Sequence, residues 1–560
     1  MSAFLIGNSW LREKFNLPNL QLPHGSRIDT TQRERVVSAS ETGAVLETFP
    51  PNYGLGDAND PIRHIEFGLK YDGPHLDLLA QVFRTLPLEK VDSFVAASPS
   101  SKAARQIGFL YEFLTGKTLL LTGVNIAGGY IPILDPEKFL TAGTRKITRW
   151  HVDDNLLGTP AFTPTIRRTK AIDEGIVRDW QAEMADIKEN TAPDLFYRAL
   201  TYFYLQETQS SFLIENERPG PQRTQRFAAA LREAGRDTEA QSLTVPRLVK
   251  LQNTIMGGED SPYAVKGLRT DQNFVGRRFA ESKGGLAVDY ISPPPALVPS
   301  LIQGLQESSA RLQAVHPLAH AAAIAFQFVY IHPFEDGNGR SHRFLLHDIL
   351  ARRQFVKDDL ILPLSMTMLK EPVGYKRTLE AFGVLPRIRY EIGKDRSLTI
   401  KNPSDVESAW RYPDLTRQVE YVQGITAKTI AIMPEELAFL GKYDVARSAI
   451  QEIADMPDQR LDTLLEYLHE GKGELSKNRR KNWPELIDSD IERIKTAYRN
   501  VFDIEEPKPQ PVLPSQEVVD SQVEIGEVRA RSKAPIQKSA SSDSDPLPER
   551  QKGQSKARGR

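Results

Sequence analysis

The segment IHPFEDGNGRSHR, Ile331–Arg343, follows a long apolar run and decides how this part of the chain folds. The residue before a proline is pushed out of the helical region, so an apolar helix must end near His332. Phe334 is a large apolar side chain in an otherwise polar run, and the simplest role for it is to anchor the loop in the core. The segment therefore predicts a helix, a fixed loop that presents His332, and a second helix.

The second half of the segment has the residues of an anion site. Gly337, Asn338 and Gly339 open the second helix, where glycines let phosphate oxygens approach free backbone N–H groups at the positive end of the helix dipole. Arg340 and Arg343 are three residues apart, so both project from one face of that helix and can clamp a polyphosphate with forked donors. The pattern predicts a polyphosphate site.

Two further side chains complete this chemistry. Asp336 supplies a hard oxygen for Mg²⁺, which usually takes one or two carboxylates plus phosphate oxygens. His332, at the end of the first helix, is a candidate base. A base, an anion site and a metal ligand therefore fall within about a dozen residues.

These residues match the Fic motif HxFx(D/E)GNGRxxR at every specified position, and residue frequencies make a chance match rarer than about one in a million. The sequence therefore resembles the Fic (Fido) family of protein adenylyltransferases. The resemblance implies transfer of AMP from ATP to a Ser, Thr or Tyr hydroxyl of a protein, with Mg²⁺ and with release of pyrophosphate. It implies that His332 is the general base and that Asp336 holds Mg²⁺. It assigns phosphate binding to Gly337, Asn338, Gly339, Arg340 and Arg343.

A second Fic feature lies upstream, where residues 211–216 read SFLIEN. This string matches the inhibitory-helix pattern (S/T)xxxE(G/N), and it precedes the catalytic motif as in Fic proteins with an N-terminal inhibitory helix. The resemblance implies that Ser211, Glu215 and Asn216 form the inhibitory element. Glu215 would pair with Arg343 and keep the γ-phosphate out, so that ATP binds in an unproductive pose. The alternative is a solvent-facing helical glutamate.

Residues 269–291 interrupt the helical pattern. They carry Gly276, Gly284 and Gly285 between short β-prone pieces, and three prolines follow at 293–295, which predicts a β-hairpin. The hairpin resembles the flap of Fic proteins. This implies that an extended segment of a protein substrate adds to the flap edge, where backbone pairing positions the hydroxyl.

Other residues near the motif receive lesser roles. Tyr375 resembles a Fic tyrosine that lies near the adenine, although packing on an amphipathic helix explains it equally well. His316, His320 and His342 lack neighbours with matching chemistry and are expected to be structural or exposed. Glu335 falls on an unspecified position of the motif and is expected to face solvent.

The chain of 560 residues is too long for one core and is expected to form several domains. Residues 1–190 mix turn-rich and helical segments, which predicts an α+β accessory domain. Residues 191–400 form the helical Fic core with its inhibitory helix and flap, and residues 401–502 return to helical patterns. Residues 503–560 have few large apolar side chains and predict a disordered tail. The expected fold class is mainly α.

The composition excludes several kinds of protein. There are 72 Lys and Arg against 73 Asp and Glu, which gives a net charge of −1. The chain as a whole therefore has no electrostatic attraction to nucleic acid or an anionic membrane, and such binding would need a local basic patch. The lack of cysteine excludes disulfides, thiolate zinc sites and a cysteine nucleophile, and the cytoplasm is the simplest compartment. No run of about 18 apolar residues predicts a membrane span, and no signal peptide is indicated.

The sequence leaves several alternatives open. The same pocket suits transfer of another nucleotide or of phosphate, or removal of AMP from a protein. A rival of another class is a regulatory or toxin–antitoxin protein that uses a Fic scaffold for binding, although the intact His332 argues against a degenerate site. A P-loop is excluded because the segment lacks the lysine and spacing of GxxxxGK(S/T). The target protein, the modified residue and the oligomeric state are not encoded in these patterns.

Overall fold

The computed structural model describes residues 3–505 with internal gaps at 40–43, 122, 279–285, 358 and 394–396. Helices dominate this part of the chain and the strands form small sheets only, which confirms the expected class, mainly α. The tail expected from sequence lies outside the described residues from position 506 onward. None of the helices among the described residues is long and apolar enough to cross a membrane.

The first part of the chain mixes helices with two sheets, as expected for an α+β region. The first sheet has the order β1-β2-β4-β3, in which β2 and β4 are parallel and the other pairs antiparallel. The second has the order β5-β7-β6, with only β5 and β7 parallel. The elements are β1 Ala3–Ile6, α1 Gly7–Lys14, β2 His24–Asp29, β3 Val36–Ala39, β4 Val45–Phe49, α2 Pro61–Tyr71, α3 Leu76–Thr85, α4 Leu88–Ala97, α5 Lys102–Thr115, β5 Ile131–Pro132, β6 Arg145–Ile147, β7 Val152–Asp154, α6 Lys170–Val177 and α7 Trp180–Glu189.

The middle of the chain contains the motif and is almost entirely helical. Its helices are α8 Pro193–Ile214, α9 Pro221–Arg232, α10 Glu239–Ser242, α11 Val245–Met256, α12 Val298–Leu312, α13 Pro317–Ile331, α14 Asn338–Arg352, α15 Leu364–Lys370 and α16 Pro372–Glu380. The strands β8 Phe274–Arg278 and β9 Leu286–Ile291 pair antiparallel and confirm the predicted hairpin, whose connecting residues lie outside the described part. The strands β10 Tyr390–Ile392 and β11 Leu398–Ile400 form a second small hairpin.

The last part of the described chain is helical, as its sequence pattern predicts. Its helices are α17 Pro403–Arg411, α18 Thr416–Ile453, α19 Asp458–Glu470, α20 Lys477–Arg480 and α21 Asp488–Phe502. The long helix α18 contributes Val419 and Leu437 to the central core, while Ala446 and Ile450 belong to a separate apolar cluster with α19 and α21. The helix therefore joins two cores. The predicted domain boundaries themselves stay predictions.

Helix α13 is the centre of the main core. Pro317 occupies its first turn and the side chain of His316 accepts a hydrogen bond from the N–H of Leu318 at 3.3 Å, which caps its start. All residues from Leu318 to Ile331 are buried, because α14, α12 and α18 surround the helix. An apolar helix buried on every side fixes the position of whatever follows its last residue.

The N-terminal core is packed around one large side chain. Trp150 is 1% exposed, and its indole N–H donates to the carboxylate of Glu112 at 2.7 Å. The ring lies directly against Gly108 of α5, where a Cβ atom would overlap it. This close approach explains a glycine in the middle of a helix, where glycine is otherwise unfavourable.

We expect Gly108→Ala to lower the free energy of unfolding by about 1–3 kcal/mol, because the new methyl group has to displace a packed indole. Gly424→Ala is the matched control, since Gly424 lies inside helix α18 and a Cβ there meets no atom within 4 Å. The control should raise stability by about 0.5–1 kcal/mol. Thermal denaturation followed by circular dichroism measures both, and equal melting shifts of the same sign would contradict the packing argument.

Candidate active site

The loop after α13 begins with a strained residue. The N–H of His332 still donates to the carbonyl of Phe328 at 3.0 Å, but its own backbone has φ 50° and ψ 58°, the left-handed region. A non-glycine residue in this region costs about 1–2 kcal/mol, so the surrounding contacts must hold it there. The structure thus presents His332 at the helix end, as its position before Pro333 predicts.

The imidazole of His332 is fixed in one tautomer. Its Nδ1 lies 3.1 Å from the carbonyl oxygen of Val329, so Nδ1 carries the hydrogen and the lone pair of Nε2 is free. Burial lowers the pKa of His332, the Val329 carbonyl raises it, Arg269 lowers it, and Glu215 and Asp336 raise it; the net pKa lies below the ordinary value. The imidazole is therefore neutral at pH 7 and able to accept a proton.

Phe334 anchors the loop, as predicted. Its side chain is 1% exposed, and its ring lies 6.3 Å from that of Phe328 in α13. The side chain of Asn338 holds the same residue, because Oδ1 accepts from the N–H of Phe334 at 3.0 Å and Nδ2 donates to its carbonyl at 2.7 Å. Both polar groups of Asn338 therefore help to hold the loop.

The start of α14 is open to an anion. Gly337 precedes the helix with φ 81° and has no side chain that could cap it. A Cβ atom at Gly339 would collide with the carboxylate of Glu215, so the lack of a side chain makes room for a negatively charged group at this point. In this structure that group is the chain's own Glu215.

Arg343 brings the predicted inhibitory residues to the motif. Its side chain is 1% exposed. Nε donates to the hydroxyl of Ser211 at 2.8 Å, and Nη2 donates to the carbonyl of Ser211 at 2.7 Å and to Oε1 of Glu215 at 2.8 Å. Nη1 lies 3.3 Å from the hydroxyl of Tyr375, which is itself buried. Three residues predicted from sequence features outside the motif, Ser211, Glu215 and Tyr375, therefore meet at the guanidinium of Arg343.

Glu215 is ionised although it lies in the interior of the site. Burial raises its pKa, but the charge of Arg343, their hydrogen bond, Arg340 and His332 lower it, and the net pKa is below the ordinary value. Its side chain keeps 36% of its surface exposed. The carboxylate is thus an anion that occupies the motif and can still be reached from solvent.

The backbone at the end of α8 explains why the inhibitory pattern allows only glycine or asparagine after its glutamate. Asn216 has φ 57°, and the N–H of Glu217 returns to the carbonyl of Phe212 at 3.0 Å, so the helix ends in a left-handed turn. Glycine and asparagine tolerate this conformation best. The turn also directs Glu217 to Arg340, whose Nη1 lies 2.8 Å from its carboxylate. Sequence reasoning gave Glu217 no role.

Asp336 lies beside Arg340, the first arginine of the motif. Its Oδ1 accepts from Nη2 of Arg340 at 3.1 Å and from the N–H of Gly337 at 2.5 Å, while its side chain is 58% exposed. The described residues contain no cluster of three or more His, Cys, Asp or Glu side chains that could hold a metal ion. One accessible carboxylate next to an anion site fits Mg²⁺ bound mainly by phosphate oxygens, the arrangement this ion prefers.

The match to known proteins agrees with this geometry. Residues 242–350 match the Fic/DOC family, and this stretch contains the loop and the start of α14. These residues are a Fic/DOC domain. The chain is similar to a protein named Protein adenylyltransferase Fic from Drosophila erecta, 30% identical over 112 residues, which is 20% of each chain. It is 28% identical over 119 residues to the protein of that name from Nematostella vectensis, 21% of this chain and 25% of the relative.

The chain spans about a fifth to a quarter of the length of these relatives. Two solved structures are also similar: a Fic family protein from Desulfovibrio desulfuricans G20, 20% identical over 60% of this chain and 89% of the other, with a TM-score of 0.33; and a Fic domain containing signaling protein from Bacteroides thetaiotaomicron, 19% identical over 48% and 97%, with a TM-score of 0.32.

The matched stretch contains the loop and the start of α14, and the roles predicted for their residues stay predictions. Helix α8 lies N-terminal to the matched stretch, so the inhibitory role of Ser211, Glu215 and Asn216 stays a prediction, as does the adenine contact of Tyr375. Two histidines set aside in the sequence are buried: His320 contacts Ser309, and Nδ1 of His342 lies 2.7 Å from a backbone carbonyl.

Two side chains that support the Fic loop have no sequence signal. Gln252 of α11 is buried and donates to the carbonyl of Asp336 at 3.3 Å. Arg269 donates to the carbonyl of His332 at 2.8 Å. A lone glutamine on an amphipathic helix and a lone arginine before a strand are common, and only the tertiary contacts distinguish these two.

Phe334→Ala should lower the free energy of unfolding by about 3–5 kcal/mol, because it removes a fully buried ring from under the loop. Val373→Ala is the control, since Val373 is 61% exposed on α16 and its truncation should change stability by less than about 0.5 kcal/mol. Chemical denaturation measures both. An unchanged midpoint for Phe334→Ala would rule out the anchoring role.

Proposed function

We propose that this chain is a protein adenylyltransferase that moves AMP from ATP to a hydroxyl side chain of a protein, with Mg²⁺. One observation carries the proposal: Arg343 already holds an anionic oxygen, that of Glu215, next to Gly339 of α14, and the neutral His332 lies within electrostatic reach of it. A site that binds an anion beside a free imidazole nitrogen suits attack of a hydroxyl on a phosphate. The names of the relatives support AMP as the transferred group.

The reaction follows from the groups at the site. Nε2 of His332 takes the proton of the substrate hydroxyl while the hydroxyl oxygen attacks the α-phosphorus of ATP. The bond from the α-phosphorus to the bridging oxygen breaks, pyrophosphate leaves, and the imidazolium returns its proton to solvent. Arg340 and Arg343 stabilise the charge that develops on the phosphates, because both guanidiniums are held rigidly before the reaction. Mg²⁺ held by Asp336 would neutralise the leaving pyrophosphate.

The hairpin of β8 and β9 is the proposed docking edge for the protein substrate. Among the described residues, the two strands form a sheet by themselves. The outer edge of each strand is therefore open to pairing with a strand of the substrate. The hairpin is tied to the catalytic loop, since Nδ2 of Asn273 donates to the carbonyl of Phe334 at 3.0 Å. A segment of the protein substrate paired along this edge would hold its hydroxyl group at a fixed distance from the catalytic loop.

Glu215 is the proposed inhibitor of this reaction. It takes the Nη2 donor of Arg343 and lies over Gly339, where a phosphate would otherwise approach the helix start. A bound triphosphate then has to avoid the carboxylate, because two anions compete for one guanidinium. The expected resting state binds ATP without positioning its α-phosphate for attack.

Removal of AMP is a second candidate function. The ionised and partly exposed carboxylate of Glu215 can accept a proton from water, which favours hydrolysis of an AMP–protein bond. Loss of label from a pre-labelled protein with wild-type chain, but not with Glu215→Gln, would favour this candidate over forward transfer.

Labelled ATP tests the transferred group directly. The full chain is incubated with Mg²⁺, a cell lysate and ATP labelled at either the α or the γ phosphate. Label from the α position should stay on protein after denaturing electrophoresis, and label from the γ position should not. Retention of the γ label would indicate phosphate transfer and refute the proposal; the same assay with labelled GTP, CTP and UTP measures the preference for the base.

His332→Ala should lower transfer by about 10²- to 10⁴-fold with ATP binding and melting temperature retained, since a base at a loop contributes to the barrier and little to the core. His151→Ala is a matched control. His151 is also left-handed, with φ 45°, and its Nδ1 also lies near a backbone carbonyl, 2.8 Å from that of Gly128. The control should keep full activity, and wild-type turnover by His332→Ala would show that another group is the base.

Glu215→Gly should raise transfer at least about tenfold, because a charge-assisted hydrogen bond of about 1.5–3 kcal/mol no longer holds Arg343. Adding Arg343→Ala should abolish the gain, since the released donor is then missing. Glu233→Gly controls for loosening of a helix end: Glu233 ends α9 with φ −89°, close to the −87° of Glu215, and its carboxylate lies 2.6 Å from Arg236. If Glu215→Gly and Glu233→Gly gave equal activities, the inhibitory role would be refuted.

A further inference from the structure

Arg269 connects the catalytic loop to the base of the hairpin. It is 6% exposed, and it lies in the segment that leads into β8. Its Nε donates to the carbonyl of His332 at 2.8 Å, its Nη2 to that of Pro293 at 2.6 Å, and its Nη1 to that of Asp271 at 2.8 Å. Its own N–H donates to the carbonyl of Pro333 at 2.9 Å. One residue therefore holds the backbone on both sides of the turn.

The partners of this guanidinium are unusual. All of its acceptors are backbone carbonyls, and none of the described residues forms an ion pair with it. Buried arginines normally sit beside a carboxylate, because an uncompensated charge is costly in the interior. Burial lowers the pKa of Arg269 to about 10, so it is still charged at pH 7. The negative end of the α13 dipole offsets part of this cost.

The contacts explain how His332 keeps its left-handed backbone. After α13 the chain has to reverse its direction at His332 before the side chain of Phe334 can reach the core. The carbonyl of His332 accepts from Nε of the Arg269 guanidinium, and the carbonyl of Pro333 accepts from the main-chain N–H of Arg269, so both carbonyls are held in one orientation. If these contacts were lost, the residue could relax to the more stable right-handed region, and its imidazole would leave Val329.

The charge of Arg269 acts on the imidazole as well. The charged groups that face His332 are Arg269 from the base of the hairpin, Glu215 from the end of α8 and Asp336 from the loop. The two carboxylates favour the protonated imidazole and Arg269 opposes them. A base that is already protonated cannot accept the proton of a hydroxyl, so the balance of these charges sets the fraction of active sites that can react.

We propose that Arg269 is the positioning residue of His332: its donor fork holds the left-handed turn, and its buried charge opposes protonation of the imidazole. The inference rests on the proposed role of His332 as the base. It assigns two separable functions, geometry and charge, to one side chain. Lysine at this position would keep the charge without the fork, and glutamine would remove the charge.

The test measures His332 directly by NMR. The full chain is labelled with ¹⁵N-histidine, and the signal of His332 is assigned among the 10 histidines by its loss in His332→Gln. The ¹⁵N shifts give the tautomer and a titration gives the pKa. Arg269→Gln should raise the pKa of His332 by about one unit. Arg269→Lys should shift it by less than half that amount and should mix the two tautomers, because the turn is no longer held.

Arg311→Gln is the matched control. Arg311 also directs its guanidinium to backbone carbonyls, those of Leu156 at 2.6 Å and Asp154 at 3.0 Å, and it lies outside the motif. Its loss should leave the pKa and the tautomer of His332 unchanged. An unchanged His332 pKa in folded Arg269→Gln would refute the charge function. If Arg269→Gln does not fold, Arg269→Lys is measured instead. A wild-type tautomer of His332 together with wild-type turnover in Arg269→Lys would refute the positioning role.

Transfer assays separate this inference from the proposed function. In an active enzyme, Arg269→Gln should move the acidic limb of the pH–rate profile to higher pH by the same amount as the His332 pKa. Arg269→Lys should lower kcat at least about tenfold and move that limb by less than half as much. A Glu215→Gly chain that transfers no nucleotide would refute the proposed function while the NMR shifts still stood. An active chain without these shifts would refute the inference alone.

Discussion

The left-handed turn at His332 is the constraint on which the site depends. Helix α13 is buried along its whole length, so its last residue has no freedom to move, and Pro333 prevents the helix from continuing. The chain can reach the next helix only by reversing at His332. The same reversal carries Phe334 into the core and Gly337 to the start of α14. The positions of the proposed base and of the proposed phosphate site are therefore consequences of one turn.

The site is charge-balanced before any ligand binds. Arg340 and Arg343 are both about 1% exposed, and each is paired with a carboxylate that follows α8, Glu217 and Glu215 respectively. A buried guanidinium without a carboxylate partner is costly, so an internal carboxylate beside each of the two arginines stabilises the site when phosphates are absent. Inhibition and stability are thus linked: the carboxylate that would block the γ-phosphate is also the group that compensates Arg343.

Local features of the site could be predicted from sequence, whereas contacts across the fold could not. The helix end at His332, the anchor at Phe334 and the hairpin each follow from a proline, an apolar residue or a glycine pattern within a few positions. The contact between Ser211 and Arg343 could be expected only through a family pattern, because 132 positions separate them. Glu217 and Arg269 carry no pattern: their functions arise from a turn at Asn216 and from carbonyls that only the folded chain brings together.

Three helix ends meet at the site, and their dipoles explain which charges lie where. The C-terminal ends of α8 and α13 present carbonyls, and each receives a guanidinium: Arg343 at Ser211, and Arg269 at Ile331 and His332. The N-terminal end of α14 presents N–H groups, and it receives the carboxylate of Glu215. Cations at C-termini and an anion at an N-terminus are the favourable arrangement for every one of these dipoles. If Glu215 withdrew, the positive end of α14 and Arg343 would be left without that anion, and the proposed polyphosphate ligand would restore the balance.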